Sequence, residues 1–159
     1  LGDVGCVSKT RNGDSAPGTV AEPTPVAHDQ SAKIPELCRQ LDASIVGYKW
    51  NLKTCEGIRW KADRLSEEGR PLIYAEFGEP KSPNKTLILS MVHPDEVTPL
   101  YLGFKLAHFL REREGELTDA HVIIAPFVNP DGHFREKPIR MNARGVDLNR
   151  NFDTPLWRE

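Results

Sequence analysis

What most constrains this chain is a rhythm that begins after Gly69: short, nearly all-apolar runs set around one long stretch of helical periodicity. Residues 71–77, 86–92 and 121–128 are runs of four to eight or so residues bounded by Gly-Pro or Asn-Pro signals, which reads as β-strand. The first is ended by Gly78-Glu79-Pro80 and the third by Asn129-Pro130-Asp131-Gly132. Between the second and third, residues 98–114 carry Tyr101, Phe104, Leu106, Phe109 and Leu110 mostly toward one side of a helix that Gly115 ends. Strands this uniformly apolar predict a sheet buried on both faces, and their alternation with a helix predicts an α/β layer fold.

Upstream the chain has a different character. Residues 7–33 are rich in Pro, Gly, Ser, Thr and Ala, and every Trp, Tyr and Phe lies at or after Tyr48. Such a segment cannot bury enough apolar area to offset its ordering entropy, so residues 1–33 are expected to form a flexible tether and residues 34–159 the folded domain. Pro35 to Leu41 reads as a short helix with proline in its first turn. Cys38 and Cys55 have no histidine partner spaced for a zinc knuckle. Either they form a disulfide, which implies an oxidising compartment such as a periplasm or cell envelope, or they are two unpaired buried thiols. Cys6 follows small residues as in bacterial lipoprotein processing sites, making it a candidate lipid anchor; the alternative is a free cysteine in the tail.

The formal net charge of −2 supplies no positive field for nucleic acid or anionic lipid, and no run reaches the roughly 18 apolar residues of a membrane span. Chemistry is instead concentrated where strands end. His93 and Glu96 directly follow the second strand and precede the helix, and ligand sites in open α/β sheets lie outside the carboxyl ends of the strands. Imidazole and carboxylate are zinc donors, and a three-residue spacing through a turn stiffened by Pro94 can bring both heads to one point. Alone, the pattern is common by chance. His28, His108, His121 and His133 read as tether, helix, strand-start and solvated turn residues, and none is assigned to a metal.

A second cluster follows the third strand: Arg140-Met141-Asn142-Ala143-Arg144-Gly145-Val146-Asp147-Leu148-Asn149-Arg150-Asn151-Phe152. With His93-Pro94-Asp95-Glu96, Asn129-Pro130-Asp131-Gly132 and the upstream Ser66-Glu67-Glu68-Gly69-Arg70-Pro71-Leu72, it resembles the zinc carboxypeptidase family, which includes pancreatic carboxypeptidases and bacterial murein peptide amidases. The resemblance implies the amino-terminal part of a mixed-sheet, three-layer α/β domain considerably longer than this chain. It implies zinc as cofactor, with His93 and Glu96 as two of three protein ligands. Arg140 would polarise the scissile carbonyl, and Asn149 and Arg150 would grip the free carboxylate of a peptide substrate. Asp147 would orient neighbouring arginines. The third ligand and the carboxylate that activates water are expected beyond Glu159, so the chain alone is expected to be inactive.

The short Arg140-to-Phe152 form looks closest to the murein-peptide branch. Two alternatives remain open at this point: an aspartoacylase-like deacylase of N-acyl amino acids, and a non-catalytic fragment that binds peptides or a partner through the Arg140 to Arg150 loop.

Overall fold

The structure, a computed structural model, describes residues 28–151. Cys6 and the first 27 residues lie outside that span. Residues 30–33, expected within the tether, are part of the fold: Gln30 N–H donates to the carbonyl of Ala62 at 2.7 Å and Ser31–Lys33 form a 3-10 turn. That turn leads into helix α1, Ile34–Ile45, with Pro35 where its missing N–H is harmless. Ile34, Leu37, Leu41 and Ile45 recur at helical spacing and are all buried.

Four strands form one mixed sheet: β1 Lys61–Leu65, β2 Pro71–Gly78, β3 Lys85–Leu89 and β4 His121–Ala125, in the order β1-β2-β4-β3. β2 runs antiparallel to both β1 and β4, and β3 runs parallel to β4. The parallel pair requires a crossover, supplied by helix α2, Thr98–Glu112. Alternation is strict in β2, where Pro71, Ile73, Ala75 and Phe77 point into the core. β1 was not anticipated. Its five residues, Lys-Ala-Asp-Arg-Leu, bury only Ala62 fully, and its polar side chains pair across the sheet, Lys61 with Glu76 at 3.3 Å and Tyr74 with Asp63 at 2.6 Å.

The core lies between one face of the sheet and the two helices, with Leu37, Leu41, Ile73, Met91, Phe104 and Phe127 fully enclosed. Burial on both faces does not hold for β3: Leu87 is 62% and Leu89 45% exposed, because β3 is an edge strand covered on one side only among the described residues. The buried stripe of α2 also differs from the expected one. It runs through Leu100, Gly103, Phe104, Ala107 and Leu110, while Phe109 lies outside under the guanidinium of Arg113 at 4.9 Å. A side chain on Gly103 would meet Ser90 at 2.9 Å and the backbone of Pro126 at 3.2 Å, so glycine lets α2 pack against the ends of β3 and β4.

The disulfide between Cys38 and Cys55 is formed, tying α1 to the loop before β1. His133 is not solvated. It ends the short helix α3, Pro130–His133, and is 7% exposed among Phe127, Phe134 and Ser44. His121 is likewise buried, at the end of the sheet opposite to His93.

Candidate active site

The site forms where β3 and β4 end side by side. The ladder continues past both strands, Ser90 N–H to Ala125 and Val128 N–H to Ser90, so the two exits are held in register. Met91, fully buried, then takes a left-handed conformation with φ 53°. That conformation is costly for a side chain of this kind, and such residues persist where surrounding packing imposes them, often beside functional groups. It turns the chain from the strand into the His93-to-Glu96 turn, which closes with Glu96 N–H on the carbonyl of His93 at 3.0 Å.

From β4 the chain enters Asn129-Pro130-Asp131-Gly132, which acts as a brace with three arms. Asn129 donates from Nδ2 to the carbonyl of Val92 and accepts the N–H of Gly132 on Oδ1, clipping the His93 turn to α3. Asp131, buried, accepts from Ser66 Oγ at 2.7 Å, from Arg70 Nη1 at 2.6 Å and from the Glu68 N–H at 3.2 Å. Gly132 lies so close to the returning chain that a Cβ would meet the Met141 carbonyl at 2.5 Å, Pro94 at 2.9 Å and the Ile139 carbonyl at 3.0 Å. Only glycine allows residues 139–141 to lie over the Pro94 turn, and these residues carry Arg140 to the site. The Ser66-to-Leu72 and Asn129-to-Gly132 motifs are thus joined by direct contact.

Beyond Arg140, the Asn142 side chain accepts two backbone N–H groups, from Arg144 and Val146, and folds a tight turn in which Gly145 has φ 74°. The turn returns Asp147 to the cluster. Asp147 caps a 3-10 turn, Leu148–Arg150, by accepting the Asn149 N–H at 2.9 Å.

Four side chains then close a ring. His93 Nδ1 lies 3.2 Å from Glu96 Oε1, and His93 Nε2 lies 3.0 Å from Asp147 Oδ1. Arg140 donates from Nε to Asp147 Oδ2 at 2.8 Å and from Nη1 to Glu96 Oε1 at 3.1 Å. Burial alone would raise the Asp147 carboxyl, but hydrogen bonds from Arg140, His93 and the Asn149 backbone outweigh it and hold the group down at about 2. The same hydrogen bond from Arg140 to Asp147 raises the guanidinium above its ordinary range. Asp147 is therefore an acceptor only, so the His93 nitrogen facing it, Nε2, carries a proton and Nδ1 is the nitrogen turned to Glu96. Nδ1 lies 3.2 Å from a carboxylate oxygen, an arrangement that repels unless a cation or a proton lies between.

This geometry fits a metal. Donors on two vertices of a tetrahedral zinc with bonds of about 2.0–2.1 Å are about 3.3 Å apart, close to the observed separation. A histidine whose second nitrogen is held by a carboxylate is the usual form of a zinc-bound imidazole. His93 and Glu96 are two donors; among the described residues no group of three or more His, Cys, Asp or Glu is arranged to hold a metal ion.

The structure thus brings His93, Glu96 and Arg140 together and adds Asp147 as the bridge between them. Asn149 and Arg150 stand at the rim, exposed, two and three residues beyond Asp147, with Arg150 donating to the carbonyl of Asn149. Asn129, Asp131 and Gly132 build the site without lining it, a role that the motif spelling alone did not separate from catalysis.

Comparison with known proteins gives a consistent answer. The zinc carboxypeptidase family model matches residues 65–159. Murein peptide amidase A of Escherichia coli K12 is 39% identical over 92 residues, covering 57% of this chain and 34% of the relative, so the chain spans about a third of that protein's length. A metallo-carboxypeptidase from Pseudomonas aeruginosa, 29% identical, superposes with a TM-score of 0.53 over 70% of this chain and 30% of its own. The carboxypeptidase A of Helicoverpa armigera, at 22% identity, shares the fold with a TM-score of 0.54 over 81% of this chain and 34% of its own.

Proposed function

This chain belongs to the zinc carboxypeptidase family, and on that premise we propose that the protein hydrolyses the bond before the carboxyl-terminal residue of a short peptide, with murein peptides as substrate. One observation carries the reading: the closed ring of His93, Glu96, Arg140 and Asp147 at the strand ends. His93 Nδ1 and Glu96 would hold zinc, the remaining donor lying outside the described residues. Zinc, when bound, supplies a water of lowered pKa and a Lewis acid for the scissile carbonyl.

The chain's own residues supply orientation and charge. Asp147 fixes the tautomer of His93 and the plane of Arg140 at once, so the metal donor and the cation are positioned by one carboxylate. Arg140, held at Nε, keeps guanidinium hydrogens for an oxyanion, where a fixed cation helps most because charge develops in the transition state. Asn149 and Arg150, exposed two and three residues beyond Asp147, would receive a free carboxylate, for which the planar guanidinium fork is suited. The murein assignment is supported by the 39% identity to murein peptide amidase A, and a periplasmic or envelope location by the Cys38–Cys55 disulfide.

The test is hydrolysis by the zinc-loaded protein of a murein tripeptide, the same peptide amidated at its carboxyl end, and an N-acetyl amino acid. Free-acid peptide should be cleaved and amidated peptide should not, and Arg150→Ala should abolish the preference. Preferred cleavage of the N-acetyl amino acid would instead make the protein a deacylase.

A further inference from the structure

A second concavity, of about 360 Å³, shares no residue with the His93 ring, and its size suits a small-molecule site. Every residue lining it falls within 42–53, inside the loop that the Cys38–Cys55 disulfide closes. The loop is cinched again at its base, where Asp42 Oδ1 accepts both the N–H and the hydroxyl of Thr54, at 3.0 and 2.7 Å. At its centre Lys49 and Asn51, on either side of Trp50, both take left-handed conformations, with φ 55° and 48°. Asparagine tolerates that conformation, whereas a lysine there is uncommon and persists where the surroundings impose it.

The result is an aromatic platform. Trp50 stacks on Tyr48 with centroids 4.6 Å apart and planes 20° from parallel, and Tyr101 of α2 meets Trp50 at 5.0 Å. Tyr48 stays 50% exposed. The platform lies toward the catalytic end of the sheet: Ser44, at the end of α1, bonds His133 in α3 at 2.8 Å, and Tyr101 is in the first turn of the helix that Glu96 leads into.

Of the three rings Trp50 alone lines the concavity; half-exposed Tyr48, stacked beside it, offers a ring face that carries partial negative charge, while Lys49, Asn51 and Lys53 of the lining supply cations and an amide. An apolar peptide would leave that rim unused. A pyranose ring fits both parts, laying polarised C–H bonds on the ring face and turning hydroxyl, amide or carboxylate groups to the edge. We propose that the disulfide-closed loop around Tyr48 and Trp50 is a glycan-binding site for N-acetylated sugars that carry carboxylates, the chemistry of the murein backbone. The choice of glycan rests on the murein reading above; the site is read by binding, so the two can fail separately.

The experiment titrates the oxidised protein with three probes, peptide-free murein glycan strands, neutral chitotetraose and a single-stranded thymidine oligonucleotide, following tryptophan fluorescence and heat. Both sugars should bind. Tyr48→Ala, its fold checked by circular dichroism, should weaken both roughly two- to tenfold, the range for losing one aromatic contact. Lys49→Gln with Lys53→Gln should weaken only the carboxylate-bearing strands, and peptide hydrolysis should be unchanged by Tyr48→Ala. Absence of sugar binding, equal affinity in Tyr48→Ala, or preference for the oligonucleotide would overturn the proposal. Sugar binding without hydrolysis of murein peptides would overturn the catalytic reading and leave this one standing.

Discussion

Acidification should destabilise this protein through His133, by an amount that can be worked out. The Ser44 hydroxyl donates to the Leu41 carbonyl at 2.7 Å, so its oxygen accepts from His133 Nε2–H, and His133 Nδ1 is buried with no partner. Protonating Nδ1 would create a charge among Phe127 and Phe134 with nothing to receive its hydrogen. Burial accordingly lowers the imidazole from 6.5 to about 4. In the unfolded chain the ring takes up its proton near 6.5, so between the two values the unfolded state binds more protons and stability falls as pH falls. Above pH 6.5 the contribution is fully present; below about 4 it is gone. At about 1.4 kcal/mol per pH unit the loss approaches roughly 3 kcal/mol, a large part of the 5–15 kcal/mol typical of a domain. Urea unfolding of wild type and His133→Gln at pH 7, 6, 5 and 4.5 measures it: the wild type should lose more than the variant, which cannot titrate. A His133 ring resonance titrating near 6.5, or parallel pH dependences for the two proteins, would refute the reasoning.

Other outcomes follow from the site and its supports. Asp147→Asn keeps the shape but weakens the hold on His93 and Arg140, and zinc affinity, read by chelator competition, should fall roughly 10- to 100-fold. Gly132→Ala places a methyl against the Met141 and Ile139 carbonyls and against Pro94 of the His93-to-Glu96 turn, so it should lower both kcat and zinc content, read by steady-state kinetics and metal analysis. Reduction of the Cys38–Cys55 disulfide, whose partners are 17 positions apart, should cost about 3 kcal/mol in denaturant titrations at constant pH. Arg140→Lys retains the charge but not the two-armed link between Asp147 and Glu96, so kcat should drop while metal content stays near wild type.

Periodicity made much of this fold legible before any coordinates. β2, β3, β4, α1 and α2 all lie within or close to the runs that apolar spacing marked, because each buries at least one face against the same core. β1 escaped because it is an edge strand held by cross-strand polar pairs, which leave no apolar signature. The exposure of Leu87 and Leu89 was equally invisible, since the composition of a strand does not say how many layers cover it. At the site, His93, Glu96 and Arg140 could be singled out by order along the chain. That Asp147 ties them together depends on a turn built by Asn142 and Gly145, and the burial of His133 depends on α1 arriving from about 90 positions away.

The three-armed brace at Asn129, Asp131 and Gly132 has a consequence for how sequences of this kind can diverge. Its arms reach Val92, residues 66–70 and residues 139–141, so a change at one arm asks for a matching change at a distant position. Grafting the catalytic loop onto another scaffold would therefore fail unless the strand entrance at Ser66 to Arg70 travelled with it.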